Sequence, residues 1–160
     1  MDKPDKNFTS QREQQLAKIR HFCAYRDRCH AEVRSKLLEM KVYGDELEEM
    51  MAELITDGFL NEERYARSYV RGKFRINGWG RNKIIPALKL KKIHSSLIKQ
   101  ALNEIDEDEY LEHIKQVIDK KYASMTDGSG YEKRQKLIRF AMLKGFELDI
   151  IEQLIDEISD

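Results

Sequence analysis

The sequence predicts an all-α fold: three tandem three-helix repeats forming an elongated, curved helical body. Three observations predict it. Turn formers are scarce, with two prolines and eight glycines in 160 residues. Apolar residues recur at helical spacing and show no sustained alternation with polar ones. A basic pentad also recurs, as Arg34-Ser35-Lys36-Leu37-Leu38, Arg81-Asn82-Lys83-Ile84-Ile85 and Arg134-Gln135-Lys136-Leu137-Ile138, at offsets of 47 and 53 residues. Each copy sits between two amphipathic stretches, so one period holds three helices. Chance in a Lys- and Leu-rich chain could explain one copy, but three with matching flanks outweigh it.

Taken in order, residues 1–9 read as a flexible tail and 10–60 as the first repeat. Ser10-Gln11-Arg12-Glu13 fits a capping box, in which Ser10 accepts from a first-turn amide and Glu13 returns to the cap amide. Leu16, Ile19, Phe22 and Cys23 follow at helical spacing. Cys29 stands at the start of the second helix. Asp45, after Gly44, caps a third helix carrying Leu47, Met50, Met51, Leu54 and Ile55 on one face. Asp57-Gly58 ends it, and Asn61 opens the next.

The second repeat spans 61–105, with a first helix over 61–76. Pro86 lies past the first turn of its second helix, where it removes a hydrogen bond and should kink the backbone. The third repeat spans 106–160, with a helix over 107–123 and a turn at Thr126-Asp127-Gly128-Ser129-Gly130. The three closing helices carry Tyr43/Leu47/Met51, Ile93/Leu97/Ala101 and Phe146/Ile150/Leu154 at i, i+4, i+8. A repeat of this size is marginal alone because it buries too little surface. Stacking the repeats supplies shared interfaces.

Composition narrows the class. Hydrophobic residues at 41% suffice for a core, and a mean hydropathy of -0.69 leaves most side chains wet. No apolar run is long enough to span a bilayer. Met1-Asp2-Lys3-Pro4-Asp5-Lys6 lacks the apolar stretch of a secretory leader. Two cysteines suit a reducing compartment better than a disulfide framework. A cytoplasmic location is therefore expected.

The 29 basic and 29 acidic residues cancel, but they are unevenly spread. Residues 1–60 carry -2, residues 61–105 carry +8 from 11 basic and 3 acidic groups, and residues 106–160 carry -6. On the 61–76 helix, Arg64, Arg67, Arg71 and Arg75 fall within about 80° of one another at about 100° per residue. Tyr65, Ala66, Tyr69, Val70, Phe74 and Ile76 take the remaining arc. The arginine fork suits phosphate or carboxylate oxygens. Arg81, Lys83, Lys89, Lys91, Lys92 and Lys99 extend the basic region. The alternative is a solvated face, or partners for the acidic third repeat. The density of basic groups favours binding.

Trp79, between Gly78 and Gly80, could stack on a base. The favoured reading is a plug at a helix seam, with the glycines supplying the bend. His21, Cys23, Cys29 and His30 suggest zinc only weakly. His21 and Cys23 do not share a helix face, and the pairs lack ligand spacing. Asp106-Glu107-Asp108-Glu109 reads as dipole compensation at a helix start. No phosphate loop, nucleophile elbow or His-Glu-x-x-His pattern is present, so neither an enzyme nor a cofactor is expected.

One stretch is more specific. Gly58-Phe59-Leu60-Asn61-Glu62-Glu63-Arg64-Tyr65-Ala66 resembles the Gly-aromatic-Leu-Asp/Asn-acidic-x-x-aromatic-Ala signature of the RecX family. Gly78-Trp79-Gly80-Arg81 is similar to the family's Gly-aromatic-Gly block, with Ile84 and Leu88 in the helix that follows. Lys144-Gly145-Phe146 with Ile150 is similar to its closing block. The resemblance covers roughly residues 16–158. Three positions depart from it: Asn82 for a frequent Pro, Lys92 for a usual Gly, and Cys29 for a frequent Ser or Thr.

The resemblance implies a non-enzymatic regulator of the RecA recombinase. Such a protein lodges in the helical groove of the RecA filament on single-stranded DNA, and damps ATP hydrolysis, strand exchange and co-protease activity. The expected partners are that filament and its single-stranded DNA, with the chain a monomer. Arg67, Arg71, Arg75, Lys83, Lys89 and Lys91 are the expected contact, on charge pattern alone. A RecA-independent nucleic-acid-binding module and a helical protein–protein scaffold are the competing readings.

Overall fold

A computed structural model describes residues 6–158, with side chains described from residue 10 onward. Nine α-helices and one 3-10 turn make up the regular structure of the described residues, with no strand among them. In order these are α1 (Lys6–Tyr25), α2 (His30–Glu39), α3 (Gly44–Thr56), α4 (Glu62–Arg75), α5 (Arg81–Leu90), α6 (Ser95–Ala101), the 3-10 turn Leu102–Glu104, α7 (Glu107–Ser124), α8 (Gly130–Leu143) and α9 (Leu148–Ile158).

The closing helices set the true repeat. They begin at Gly44, Ser95 and Leu148, which are 51 and 53 residues apart. In that alignment Val33, Ile84 and Leu137 are equivalent and buried, as are Leu37, Leu88 and Ala141, and Val42, Ile93 and Phe146. The residues before the last set, Lys41, Lys92 and Gly145, share a positive φ of 63, 60 and 95°. The pentad offset of 53 is thus correct, but the offset of 47 is four residues out. A shift of four is about one helical turn and keeps the apolar pattern on nearly the same face. Position for position, His30 corresponds to Arg81.

Several local expectations change. Ser10 lies inside α1, which already runs from Lys6, so no capping box forms there. Of the expected tail, residues 1–5 lie outside the described residues, and 6–9 belong to α1. The cap of α3 is Tyr43; Asp45 sits in the first turn, where it still faces the positive helix end. Tyr43 is 59% exposed and Ile76 85%, so neither joins the apolar face assigned to it. Ile76 falls past the end of α4, where helical phase no longer governs the side chain. Ile55 also points outward, although Leu47, Met50, Met51 and Leu54 are buried as expected. α5 runs unbroken through Pro86.

The chain divides into two compact units. One runs to Ala66 and takes in Lys91–Ile93; the other comprises Arg67–Leu90 and the chain from His94. Leu16, Ile19, Cys23, Val33, Leu37, Met50 and Leu54 form the core of the first unit. Burying such side chains contributes about 1.5–3 kcal/mol each. α3 ends in a Schellman turn: Phe59 N–H donates to Leu54 O at 2.9 Å, Gly58 N–H donates to Ile55 O at 3.2 Å, and Gly58 has φ 79°.

In the second unit α7, α8 and α9 pack against one another, and α5 packs against α6. Asp106 caps α7 by accepting from Glu109 N–H at 3.0 Å, and Ser129 caps α8 by accepting from Glu132 N–H at 3.2 Å. The acidic run and the Gly128 turn therefore serve helix starts. Phe74, Tyr110, His113 and Phe146 form a ring cluster with centroids 5.5–6.1 Å apart. Edge-on and tilted ring pairs of this kind add about 0.5–1.5 kcal/mol each.

Candidate nucleic-acid interface

The ten basic residues singled out by the sequence separate into two groups. Three are committed within their own unit. Arg64 extends Nε to Asp27 Oδ1 at 3.0 Å and donates to the carbonyls of Gly58 and Phe59 at 3.2 and 3.4 Å. It closes the end of α3. Lys91 Nζ lies 3.2 Å from Glu32 Oε1, which also accepts from the Tyr65 hydroxyl at 3.2 Å.

Arg81 is held most firmly. Its guanidinium pairs with Glu147 Oε2 at 3.0 Å and with Glu107, and lies 4.1 Å from the centroid of the Tyr110 ring. Its N–H donates to the Tyr110 hydroxyl at 3.1 Å, and that hydroxyl donates to Glu147. Burial acts to lower the Arg81 pKa, but the bonds to Glu107 and Glu147 reverse this and raise it. Burial, followed by the bond to Glu147, pushes the Tyr110 phenol well above its ordinary range. Arg81 therefore leaves the open basic face, because two carboxylates and a ring already occupy it.

The others stay open to solvent. Arg67, Arg71, Arg75, Lys83, Lys89, Lys92 and Lys99 are all exposed. Arg67 and Arg71 both reach toward Glu104, at 4.0 and 3.8 Å. These separations mark weak pairs, and exposed pairs contribute at most about 1 kcal/mol. A competing phosphate could displace that carboxylate. Lys92 has a left-handed backbone at φ 60°, a conformation that Gly adopts without strain.

Lys73 was missed by sequence reasoning. It lies on α4, three positions from Val70 and off the arginine row. Its ammonium sits 4.7 Å from the centroid of the Trp79 ring and 5.4 Å from that of Tyr69. The Lys83 ammonium lies 4.5 Å from the Trp79 centroid. Trp79 itself is half-buried. Alternation of aromatic and basic residues was the available signal, but it spans two helices and the turn between them.

The glycines around Trp79 have separate tasks. Gly80 N–H donates to Lys144 O at 2.8 Å, and Asn82 N–H donates to Gly145 O at 2.9 Å. Gly78 O lies 3.2 Å from His113 Nε2. The motif thereby fixes Trp79 and Lys83 to the turn between α8 and α9. The Asn61 side chain accepts from Arg64 N–H at 3.0 Å, and Glu62 accepts from His30 N–H at 3.1 Å. The signature at 58–66 is thus chiefly structural.

Cys23 and Cys29 are buried free thiols, and Cys29 is the N-cap residue of α2. Among the described residues no group of His, Cys, Asp or Glu could hold a metal. No helix among them is long and apolar enough to cross a membrane.

Residues 61–102 match the second three-helix domain of RecX, and residues 107–155 match the third. Regulatory protein RecX of Bacillus mycoides is 27% identical over 139 residues, covering 87% of this chain and 52% of that protein. Regulatory protein RecX of Clostridium perfringens strain SM101 is 32% identical over 132 residues, covering 81% and 61%. The chain spans about half the length of the Bacillus relatives it matches. The crystal structure of RecX from Lactobacillus salivarius has a TM-score of 0.86 at 24% identity, covering 94% of this chain and 98% of that one. That fold likeness holds in a second crystal structure of regulatory protein RecX, at a TM-score of 0.82 and 21% identity.

Proposed function

The chain belongs to the RecX family, and from that premise we propose that it is a regulator that binds the RecA filament on single-stranded DNA and restrains its activity. The observation that carries this reading is the open basic face of the second repeat. Arg67, Arg71 and Arg75 lie in one row on α4, and Lys89 and Lys99 are exposed in the same unit. Arg81 and Lys91 are drawn into part-buried pairs with Glu147 and Glu32, whereas the arginines of that row and those lysines remain exposed. A filament of protein and DNA offers phosphate and carboxylate oxygens to such a surface. No catalytic constellation is needed: binding alone shifts a filament between growing and shrinking states.

One titration tests the reading. Labelled single strand, duplex and a preformed RecA–ATP filament are titrated with the protein while RecA's ATPase rate is followed. Preference for the filament together with a falling ATPase supports the proposal. An ATPase unchanged at saturating protein overturns it. Tight, steeply salt-dependent binding to bare DNA without an ATPase effect would instead favour a RecA-independent module.

A further inference from the structure

We propose that Tyr69, Lys73, Trp79 and Lys83 form a single-strand contact in which Trp79 stacks on a base while the two ammonium groups engage flanking phosphates. The inference rests on the filament reading and narrows it, assigning this part of the basic surface to nucleic acid. Two features separate the cluster from an ordinary run of charge. Lys73 and Lys83 are held at 4.7 and 4.5 Å from the centroid of one indole ring, so two cations from different helices border the same aromatic side chain. Among the described residues neither ammonium is ion-paired, in contrast to Arg64, Arg67, Arg71, Arg81 and Lys91.

Two cations without a carboxylate partner beside one ring leave positive charge for a polyanion to neutralise. The ring decides which polyanion. An acidic protein surface would satisfy the ammonium groups but would make no use of the half-buried indole between the two helices. A single strand offers phosphates and unpaired bases together, and base–aromatic stacking tolerates any sequence. The Tyr69 ring, its centroid 5.4 Å from the Lys73 ammonium, adds a second aromatic beside that cation. Rigidity supports the role. Gly80 and Asn82 bond to the backbone at Lys144 and Gly145, so the Trp79 turn is held before any strand arrives.

Trp79 is the only tryptophan in the chain, so its emission reports this site without labelling. The intact protein, without RecA, is titrated with (dT)12 at low salt while Trp79 emission and the anisotropy of labelled (dT)12 are recorded together. Emission is expected to fall in step with the anisotropy. Trp79→Ala is expected to weaken binding about 5- to 150-fold, the effect of one lost stacked base, while Trp79→Phe keeps most of the affinity. Lys73→Gln with Lys83→Gln is expected to reduce the salt slope by about 1.4, two phosphate contacts on a single strand.

Unchanged Trp79 emission at anisotropy saturation would overturn the contact, as would wild-type affinity in the double glutamine variant. An equal emission change on adding poly-glutamate would also overturn it, in favour of a protein surface. Failure to bind (dT)12 at all would do the same. These readouts omit RecA, so a lost ATPase effect with an intact Trp79 response overturns the filament reading alone.

Discussion

Gly80 and Gly145 meet backbone to backbone. A Cβ on Gly80 would stand 2.3 Å from the carbonyl carbon of Gly145, and one on Gly145 would stand 2.5 Å from Lys83 Cβ. Two motifs separated by little more than one repeat are therefore parts of one contact. It joins the α4–α5 turn to the α8–α9 turn and holds Trp79 and Lys83 in position.

Alanine at either glycine should be costly. Gly80→Ala and Gly145→Ala are each expected to destabilise by about 2–4 kcal/mol, since backbone atoms must move aside. Gly145 adds left-handed strain at φ 95°. Gly72, inside α4 with open space around its missing Cβ, behaves oppositely. Gly72→Ala should stabilise by about 0.5–1 kcal/mol. Urea denaturation of the three variants tests the contrast, and similar values for all would refute it.

Tyr110 gives the second unit a pH dependence. Its folded pKa is raised above the unfolded value, by burial first and then by the bond to Glu147. The neutral phenol is therefore favoured by folding. Its contribution is fully present below the unfolded tyrosine value of about 10 and is lost as pH rises beyond it. Tyr110→Phe should cost about 1–3 kcal/mol at pH 7, because Glu147 and the Arg81 amide lose a partner. The gap between wild type and Tyr110→Phe should narrow above pH 10 in denaturant titrations.

The two groups of arginines should respond differently to mutation. Reversal of Arg67, Arg71 and Arg75 to Glu is expected to abolish filament binding while shifting stability by no more than about 1–2 kcal/mol, because all three are exposed and Arg67 and Arg71 reach Glu104 only at 4.0 and 3.8 Å. Arg81→Ala should do the reverse, costing about 2–4 kcal/mol because Glu147 and Glu107 lose their common partner. Thermal melts combined with filament co-sedimentation separate the two effects. Normal RecA inhibition by the triple reversal would displace the interface from α4.

Lys92 stores backbone strain. A non-glycine residue in the left-handed region costs about 1–2 kcal/mol, and Lys92 sits there at φ 60°. Lys92→Gly should release that strain, less about 0.5–1 kcal/mol of unfolded-chain entropy, for a net gain of about 0.5–1 kcal/mol. The midpoint of a urea transition measures it, and a loss of stability would contradict it.

The thiols should be protected. Cys29 is fully buried and Cys23 nearly so, and burial raises both thiol pKa values. Reaction with a disulfide reagent at pH 8 is expected to run at least about 100-fold slower in the folded protein than in urea, since it must wait for opening of the core. A rapid stoichiometric reaction in native buffer would show that these helices open easily.

Helices and their breaks were legible because they depend on neighbours within about four residues. Asn61, Asp106 and Gly58 announced their roles in this way, and the 53-residue period could be read from the pentads. The same locality misled at two places. A helix reads almost alike after a four-residue slip, so Arg34 was matched to Arg81 where the chain aligns His30. Ser10-Glu13 has the form of a cap, but α1 runs through it.

The helical repeats, the family signature and the concentration of positive charge in residues 61–105 are all local properties of the chain. Which of those charges remain available depends on packing. The carboxylates that hold Arg81 lie 26 and 66 residues away, and the one that holds Lys91 lies 59 away. Pairing at such separations is set by how helices pack, and no local pattern encodes it. The cluster of Lys73, Trp79 and Lys83 has the same origin, because a turn fixed by Gly80 and Gly145 brings two helices' lysines onto one ring.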